Sequence, residues 1–310
     1  MQSRPPDVSI VIPCRDHALE LARCLQSVHA QEFAGGVEIV VVDAGRDDAV
    51  LVAANRFPGV RVVRSQEPLL PGQARNLGAN SARGSCLCFI DADCVAEPGW
   101  LATAVNALRN GARMVGGPVL HGEPWHPIAI IDNLMQFSDL APGRPAGPAE
   151  LLPCCSLCIS RADFNAAGGF PAVNLAAGED VLFCQLAGAR WGQSLLFVPA
   201  MRVRHFGRRT LRRLWTHQES FGYARARFGL QVTATYRSLG RTAVLAPVVG
   251  LRRIGYLMLR AVQWQPVSLV ALLLGFPILI VGMTAWCRGF YRGCASPSPR
   301  SRVDCPGNRR

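Results

Sequence analysis

Leu87-Cys88-Phe89-Ile90-Asp91-Ala92-Asp93 runs from an apolar stretch straight into two carboxylates. The apolar part reads as a buried strand, Leu87–Asp91. Asp91 and Asp93, at i and i+2 just past it, project toward one pocket. Hard oxygen donors in that pattern suit Mg²⁺ or Mn²⁺, particularly when a substrate brings phosphate oxygens. Asp-x-Asp is common by chance, so its weight depends on where the strand ends.

Working upstream, Ser9-Ile10-Val11-Ile12-Pro13 is a second apolar run stopped by proline, and Val37–Asp43 (VEIVVVD) a third. Arg61-Val62-Val63 is a short fourth. Between them lie helical patterns. Ala18, Leu21, Ala22, Leu25 and Val28 share one face. Asp47–Arg56 and Gly72–Arg83 also read as helices. Pro98–Arg109 reads as a helix with proline in its first turn. Strands alternating with helices at this spacing predict an α/β fold with a mostly parallel sheet. Ligands bind such sheets beyond the carboxyl ends of the strands. Pro13, Asp43, Asp91 and Asp93 all fall at that edge.

The 310 residues include 33 basic and 21 acidic side chains, a net charge of +12. Half are hydrophobic, which excludes a disordered or collagenous chain. Charge is uneven. Residues 1–200 hold 14 arginines against 19 carboxylates; residues 201–310 hold 19 against 2. A basic C-terminal third predicts a surface facing anionic lipid or nucleic acid. Met1–Pro6 has no apolar core of a secretory signal, so the 12 cysteines are expected as reduced thiols. Cys154-Cys155-x-x-Cys158 looks like half a zinc site. No second pair stands nearby, so these cysteines read as small buried hydrophobes, with a metal or redox site as the alternative.

Downstream, 117–153 is rich in loop signals, with Pro142, Pro145 and Pro148 close together, and reads as a mobile connection over the site. Leu157–Phe164, Glu179–Ala187 and Leu195–Val198 resume regular structure. Arg208–Phe228 is amphipathic, with arginines beside Leu211, Leu214, Trp215 and Phe221. It reads as a membrane-surface helix, or else a helix packed on the domain with a solvated arginine face. Pro266–Cys287 is 22 residues without charge, long enough to span a bilayer core of roughly 30 Å. Arginines on both flanks conflict with one simple orientation, and Gly275-Phe276-Pro277 offers a re-entrant hairpin instead. The stretch 243–259 is interrupted by two arginines and reads as interfacial. The expected division is a body over 1–207, interfacial helices over 208–262, a transmembrane or re-entrant segment over 263–288 and a disordered basic tail over 289–310.

Other candidates for chemistry are few. Glu179-Asp180 opens a helix after Gly178; one acid can complement the helix dipole while the other faces the cleft as a base. His205 follows a strand and becomes a plausible third ligand beside a carboxylate-bound metal. Asp43 ends a buried strand, where it either caps the next turn or meets a ligand. Arg75 can neutralise a carboxylate or a phosphate. His17, His29, His121, His126 and His217 show no pairing.

Taken in order, SIVIPCRD, CLQSVHAQ, EIVVVDAG, ARNLGANSARGSCLCFIDADC, LCISRADFNAAGGF, GEDVLFCQLAGAR and VPAMRVRHFG resemble glycosyltransferase family 2, of GT-A fold, over roughly Val8 to Phe228. The resemblance implies an inverting enzyme moving a sugar from a nucleotide-diphosphate donor to a hydroxyl acceptor. It implies that Pro13, Cys14, Arg15, Asp16 and Asp43 cradle the nucleobase and ribose, with Arg75 beside the nucleotide. Asp91 would lie near the ribose, Asp93 and His205 on a divalent metal (Mg or Mn), and Asp180 would take the acceptor's proton. The C-terminal third then implies a membrane-associated enzyme, its catalytic body cytoplasmic, with a lipid-linked or glycan acceptor and no nucleic acid. Asp43-Ala44-Gly45-Arg46 departs from the Asp-Asp-Gly-Ser or Asp-Asn-Gly-Ser often found there, which keeps a non-catalytic sugar-nucleotide or glycan-binding subunit as the rival reading. Ser156 stands where asparagine is frequent.

Overall fold

The computed structural model describes residues 5–171, 177–192, 195–228 and 245–296. Its first half is built on β1 (Val8–Cys14), β2 (Val37–Asp43), β3 (Val60–Arg64) and β4 (Cys86–Phe89). Val8, Ile10, Val11 and Ile12 are completely buried, as expected of a parallel strand covered on both faces. β1 pairs in parallel with β2 and with β4. The register Cys14↔Asp43 and Val11↔Phe89 brings Pro13, Asp43 and Asp91 to one edge.

Helices α1 (Ala18–His29), α2 (Ala49–Ala54) and α3 (Pro71–Ser81) follow these strands. α1 buries Leu21, Cys24, Leu25 and Val28, one helical stripe. α3 lies so close to the sheet that a Cβ on Gly78 would collide with Val11 and Val42. Helix α4 (Trp100–Arg109) starts later than expected. Gly99, at φ +82°, caps it, and Pro98 lies ahead of the first turn.

The second half adds β5 (Cys94–Ala96), β6 (Met114–Gly116), β7 (Val119–His121), β8 (Gly147–Pro148), β9 (Leu157–Ser160), β10 (Leu195–Phe197) and β11 (Val203–His205). The main sheet runs β3-β2-β1-β4-β9-β6-β10-β8, and a small sheet runs β5-β11-β7. β9 is antiparallel to both β4 and β6, so the sheet is parallel only on the β1–β4 side and mixed beyond it. In the small sheet the register His205↔Cys94 sets His205 beside Asp93. Helices α6 (Arg161–Ala167) and α7 (Glu179–Trp191) complete this body.

The expected loop over 117–153 is not a loop throughout. It holds β7 and a helix, α5 (Pro127–Phe137), which buries Ile131, Asp132, Leu134, Met135 and Phe137. Its side chains are covered on several sides, so no polar face marks it as a helix. α5 joins a second apolar core with α9 (Ala246–Trp264), α10 (Val267–Leu274) and α11 (Phe276–Ala295), including Leu257, Leu272, Leu279, Met283, Trp286 and Phe290.

α8 (Leu211–Phe228) packs on the molecule. Leu214 and Gln218 are buried, and α11 lies along it. A Cβ on Gly222 would strike the Trp286 carbonyl, and one on Gly289 the Glu219 carbonyl. Small residues at Gly289 and Gly293 let the two backbones meet closely. The exposed apolar surface falls instead on α9 and α10.

Among the described residues no single helix is long and apolar enough to cross a membrane. The uncharged stretch from Pro266 to Cys287 is broken at Gly275, where α10 and α11 meet at 80°. α11 continues through Ala295, so residues 289–295 of the expected tail are helical; residues 297–310 lie outside the described residues.

Candidate active site

A cavity of about 340 Å³ opens at the carboxyl edge of the parallel strands. Pro13, Cys14, Arg15, Arg75, Asp91, Asp93 and Asp180 all line it. These come from β1, α3, the turn after β4, and α7, brought together by the parallel register.

Arg75 is the hub. It is 3% exposed. Its Nη2 donates to Asp91 Oδ1 at 2.5 Å and its Nη1 to Glu179 Oε1 at 2.6 Å. Burial works against the guanidinium charge, but Asp91 and Glu179 outweigh it and hold Arg75 firmly protonated. Glu179, read from sequence only as a helix-dipole acid, is therefore the partner that ties α7 to α3. Sequence gave Arg75 either a carboxylate or a phosphate; here it serves two carboxylates.

Asp180 is the next residue on α7. Gly178 precedes it at φ +93°, a conformation open to glycine, and a Cβ there would crowd Ala224 at 3.0 Å. The Val181 amide donates to Asp180 Oδ1 at 2.8 Å. Burial first, and then the Glu179 charge, push the Asp180 carboxyl up to about 7. That suits a group that takes a proton near neutral pH.

Asp93 Oδ2 lies 3.5 Å from His205 Nε2. Burial would raise the Asp93 carboxyl, but His205, with help from Arg208 and His17, holds it below the ordinary carboxylate range. An ionised carboxylate and an imidazole nitrogen at this spacing fit a divalent cation whose remaining positions go to water and phosphate oxygens. Among the described residues no three His, Cys, Asp or Glu side chains converge into a metal cage made of protein alone. The donor set thus fits a metal shared with a substrate phosphate.

Asp43 and Asp16 are not brought onto the cavity wall. Asp43 is fully buried, accepts the Gly45 amide at 2.9 Å and lies 3.7 Å from Arg64. Of its two readings, the turn cap is the one seen. Asp16 sits beside it at φ +58°, partly exposed, 3.7 Å from Arg15. Cys154, Cys155 and Cys158 are buried in the core, as small hydrophobes are, and burial raises the Cys154 thiol well above its ordinary value. Ser156 is buried too; it accepts from the Trp100 indole at 3.1 Å and donates to the Met201 carbonyl.

One group of residues had no readable signal. Gln136 and Phe137 from α5, Arg208, and His217 and Phe221 from α8 form the wall beyond Asp93. His217, which showed no pairing in the sequence, has Nδ1 3.1 Å from Asp132 Oδ1. The two residues are 85 positions apart, and no local pattern connects them.

The family model described as "Glycosyl transferase family 2" matches residues 9–134. Glycosyltransferase AglE of Haloferax volcanii is 31% identical over 203 residues, covering 64% of this chain and 66% of AglE. The chain belongs to glycosyltransferase family 2. Succinoglycan biosynthesis protein ExoO of Rhizobium meliloti is 39% identical over 95 residues, which are 30% of this chain and 27% of ExoO. The match thus spans a quarter to two thirds of these curated relatives. Among solved structures, the mannosyltransferase PcManGT from Pyrobaculum calidifontis, in complex with GDP-Man and Mn²⁺, superposes with a TM-score of 0.55 at 19% identity. That superposition covers 94% of this chain and 85% of PcManGT. GalNAc-T7 with UDP, GalNAc and Mn²⁺ gives a TM-score of 0.55 at 18% identity, covering 77% and 51%. At these identities the likeness shows a shared GT-A fold.

Proposed function

We propose that this protein is an inverting glycosyltransferase that moves a sugar from a nucleotide-diphosphate donor to a hydroxyl acceptor. The carrying observation is that Asp180, pushed up to about 7, faces the same cavity as Asp93, which has His205 behind it at 3.5 Å. Asp180 takes the acceptor O–H proton as that oxygen bonds to the anomeric carbon. The bond from that carbon to the donor phosphate breaks on the opposite face, and the nucleoside diphosphate leaves. Direct displacement needs no enzyme nucleophile, and a base opposite the leaving group produces inversion. Asp93 and His205 would hold a divalent cation, which would supply neutralisation of the diphosphate charge. Arg75 holds Asp91 in place at the nucleotide side.

The test is thermal stability of the purified protein with UDP, GDP, dTDP or CDP, in Mn²⁺, Mg²⁺ or chelator. A rise of several degrees with one nucleotide, reduced in chelator, is expected, because a ligand that binds only the folded state stabilises it. No rise with any nucleotide would favour the non-catalytic reading.

The acceptor is proposed to be lipid-linked or membrane-proximal. Leu251, Leu259 and Val262 on α9 and Val267, Val270, Leu273 and Leu274 on α10 are all more than half exposed, and exposed apolar residues concentrated on two successive helices are of the kind that marks an interaction face. With the bend at Gly275 it suits insertion into one leaflet. The protein is expected to float with vesicles containing anionic lipid, and Leu259→Ser with Leu273→Ser to remain in the soluble fraction. Wild-type protein that stays soluble beside vesicles would sink the membrane reading.

A further inference from the structure

Asp132, on α5, is completely buried and does not touch the cavity. Three cation or donor groups converge on it. Gln218 Nε2 donates to its Oδ1 at 2.9 Å, His217 Nδ1 lies 3.1 Å from the same oxygen, and Arg208 Nη1 lies 3.6 Å from Oδ2. Removing a carboxylate from water costs several kcal/mol unless its partners are well placed. Here the partners come from α8 and from the loop that follows His205. Arg208 and His217 have the cavity in front of them and Asp132 behind.

The charges around the cavity make this arrangement informative. Asp91, Asp93, Glu179 and Asp180 are four carboxylates in one small space. Arg75 is already shared between Asp91 and Glu179. A nucleoside diphosphate brought here adds further negative charge, which grows as the sugar leaves. Arg208 is the guanidinium on the Asp93 side that is not saturated. Its Nη1 turns back toward Asp132 Oδ2 at 3.6 Å, shielded from solvent, while the side chain as a whole is 29% exposed and lines the cavity.

We infer that Arg208 forms a protein-made phosphate subsite that takes the phosphate bonded to the sugar in the donor, which becomes the terminal phosphate of the diphosphate product, with Asp132 as the positioning residue behind it. The inference rests on the nucleotide-sugar reading above and deepens it. A guanidinium aimed by a buried carboxylate meets phosphate oxygens without reorganising as charge develops. A contact with the terminal phosphate alone discriminates diphosphate from monophosphate.

The experiment is titration calorimetry of the full chain, in chelator and in Mn²⁺, with the nucleoside diphosphate that stabilises it and with the matching monophosphate. Arg208→Gln is expected to weaken the diphosphate at least tenfold in chelator and leave the monophosphate within twofold. Arg208→Lys should recover part of the loss by restoring the charge without the fork. Asp132→Asn should lose diphosphate preference in the same direction; if that variant fails to fold, the Arg208 pair still decides. An unchanged diphosphate-to-monophosphate ratio in Arg208→Gln overturns the subsite. So does a defect confined to the KM for a phosphate-bearing acceptor, which would assign the bound phosphate to the acceptor. Wild-type protein that binds no nucleotide at all would overturn the donor reading itself, a different failure from unchanged binding in the variant.

Discussion

Asp180→Asn is expected to lower sugar transfer by roughly 10²–10⁴-fold, the span typical of a lost general base, with nucleotide affinity nearly intact. Asn has the same size but cannot accept the acceptor's proton. The pH dependence follows from the carboxyl at about 7. The base is active when ionised, so wild-type kcat/KM should rise about tenfold per pH unit up to that point and level above it. Stability moves the other way. The folded protein holds this proton more tightly than the unfolded chain, whose carboxyl titrates near 3.8. The contribution of Asp180 to stability is therefore present below pH 4 and lost as pH rises through about 7. Asp180→Asn, neutral throughout, should melt higher than wild type at pH 8 and close to it at pH 4. Retained turnover in the variant, or a wild-type rate flat from pH 5 to 8, would remove Asp180 from the mechanism.

Arg75→Met is expected to cost about 3–5 kcal/mol in urea unfolding, the range for removing one partner of a buried ion pair. Asp91 and Glu179 would be left facing each other and Asp180 without a cation between them. The double variant Arg75→Met with Glu179→Gln should be less destabilised than the sum of the two singles, because the second change removes a charge the first left stranded. Arg75 also lowers the Asp180 carboxyl, so residual activity should shift its base limb to higher pH. A single variant as stable as wild type would show that the Arg75 bridges do not hold α7 to α3.

The carboxyl edge was legible because its cause is local. β1, β2 and β4 are continuous apolar runs, and each is followed by Pro13, Asp43 or Asp91. Strand ends, a parallel sheet and a polar edge follow from that pattern with no long-range information. Asp93 and His205 were named separately from sequence, yet their approach depends on the pairing of β11 with β5, more than 100 residues apart in the chain. Helix α5 was hidden because its surroundings, not its own pattern, bury it. The role of Glu179 was hidden for a related reason: an acid in a first helical turn looks the same whether it faces water or a guanidinium 104 residues earlier.

Sequence by itself determined the alternation of strands and helices, the polar edge, the Asp-x-Asp turn and the apolar C-terminal third. Each of these is written in neighbouring residues through periodicity, backbone restriction or charge. Tertiary structure alone decided that Arg75 bridges two carboxylates, that α8 packs its Glu219, Gly222 and Tyr223 side along α11, and that Gly275 bends the uncharged segment. It also decided that Asp132 stands behind Arg208 and His217. Those outcomes depend on which distant surfaces meet, and a buried charge takes its meaning from partners that no local spacing encodes.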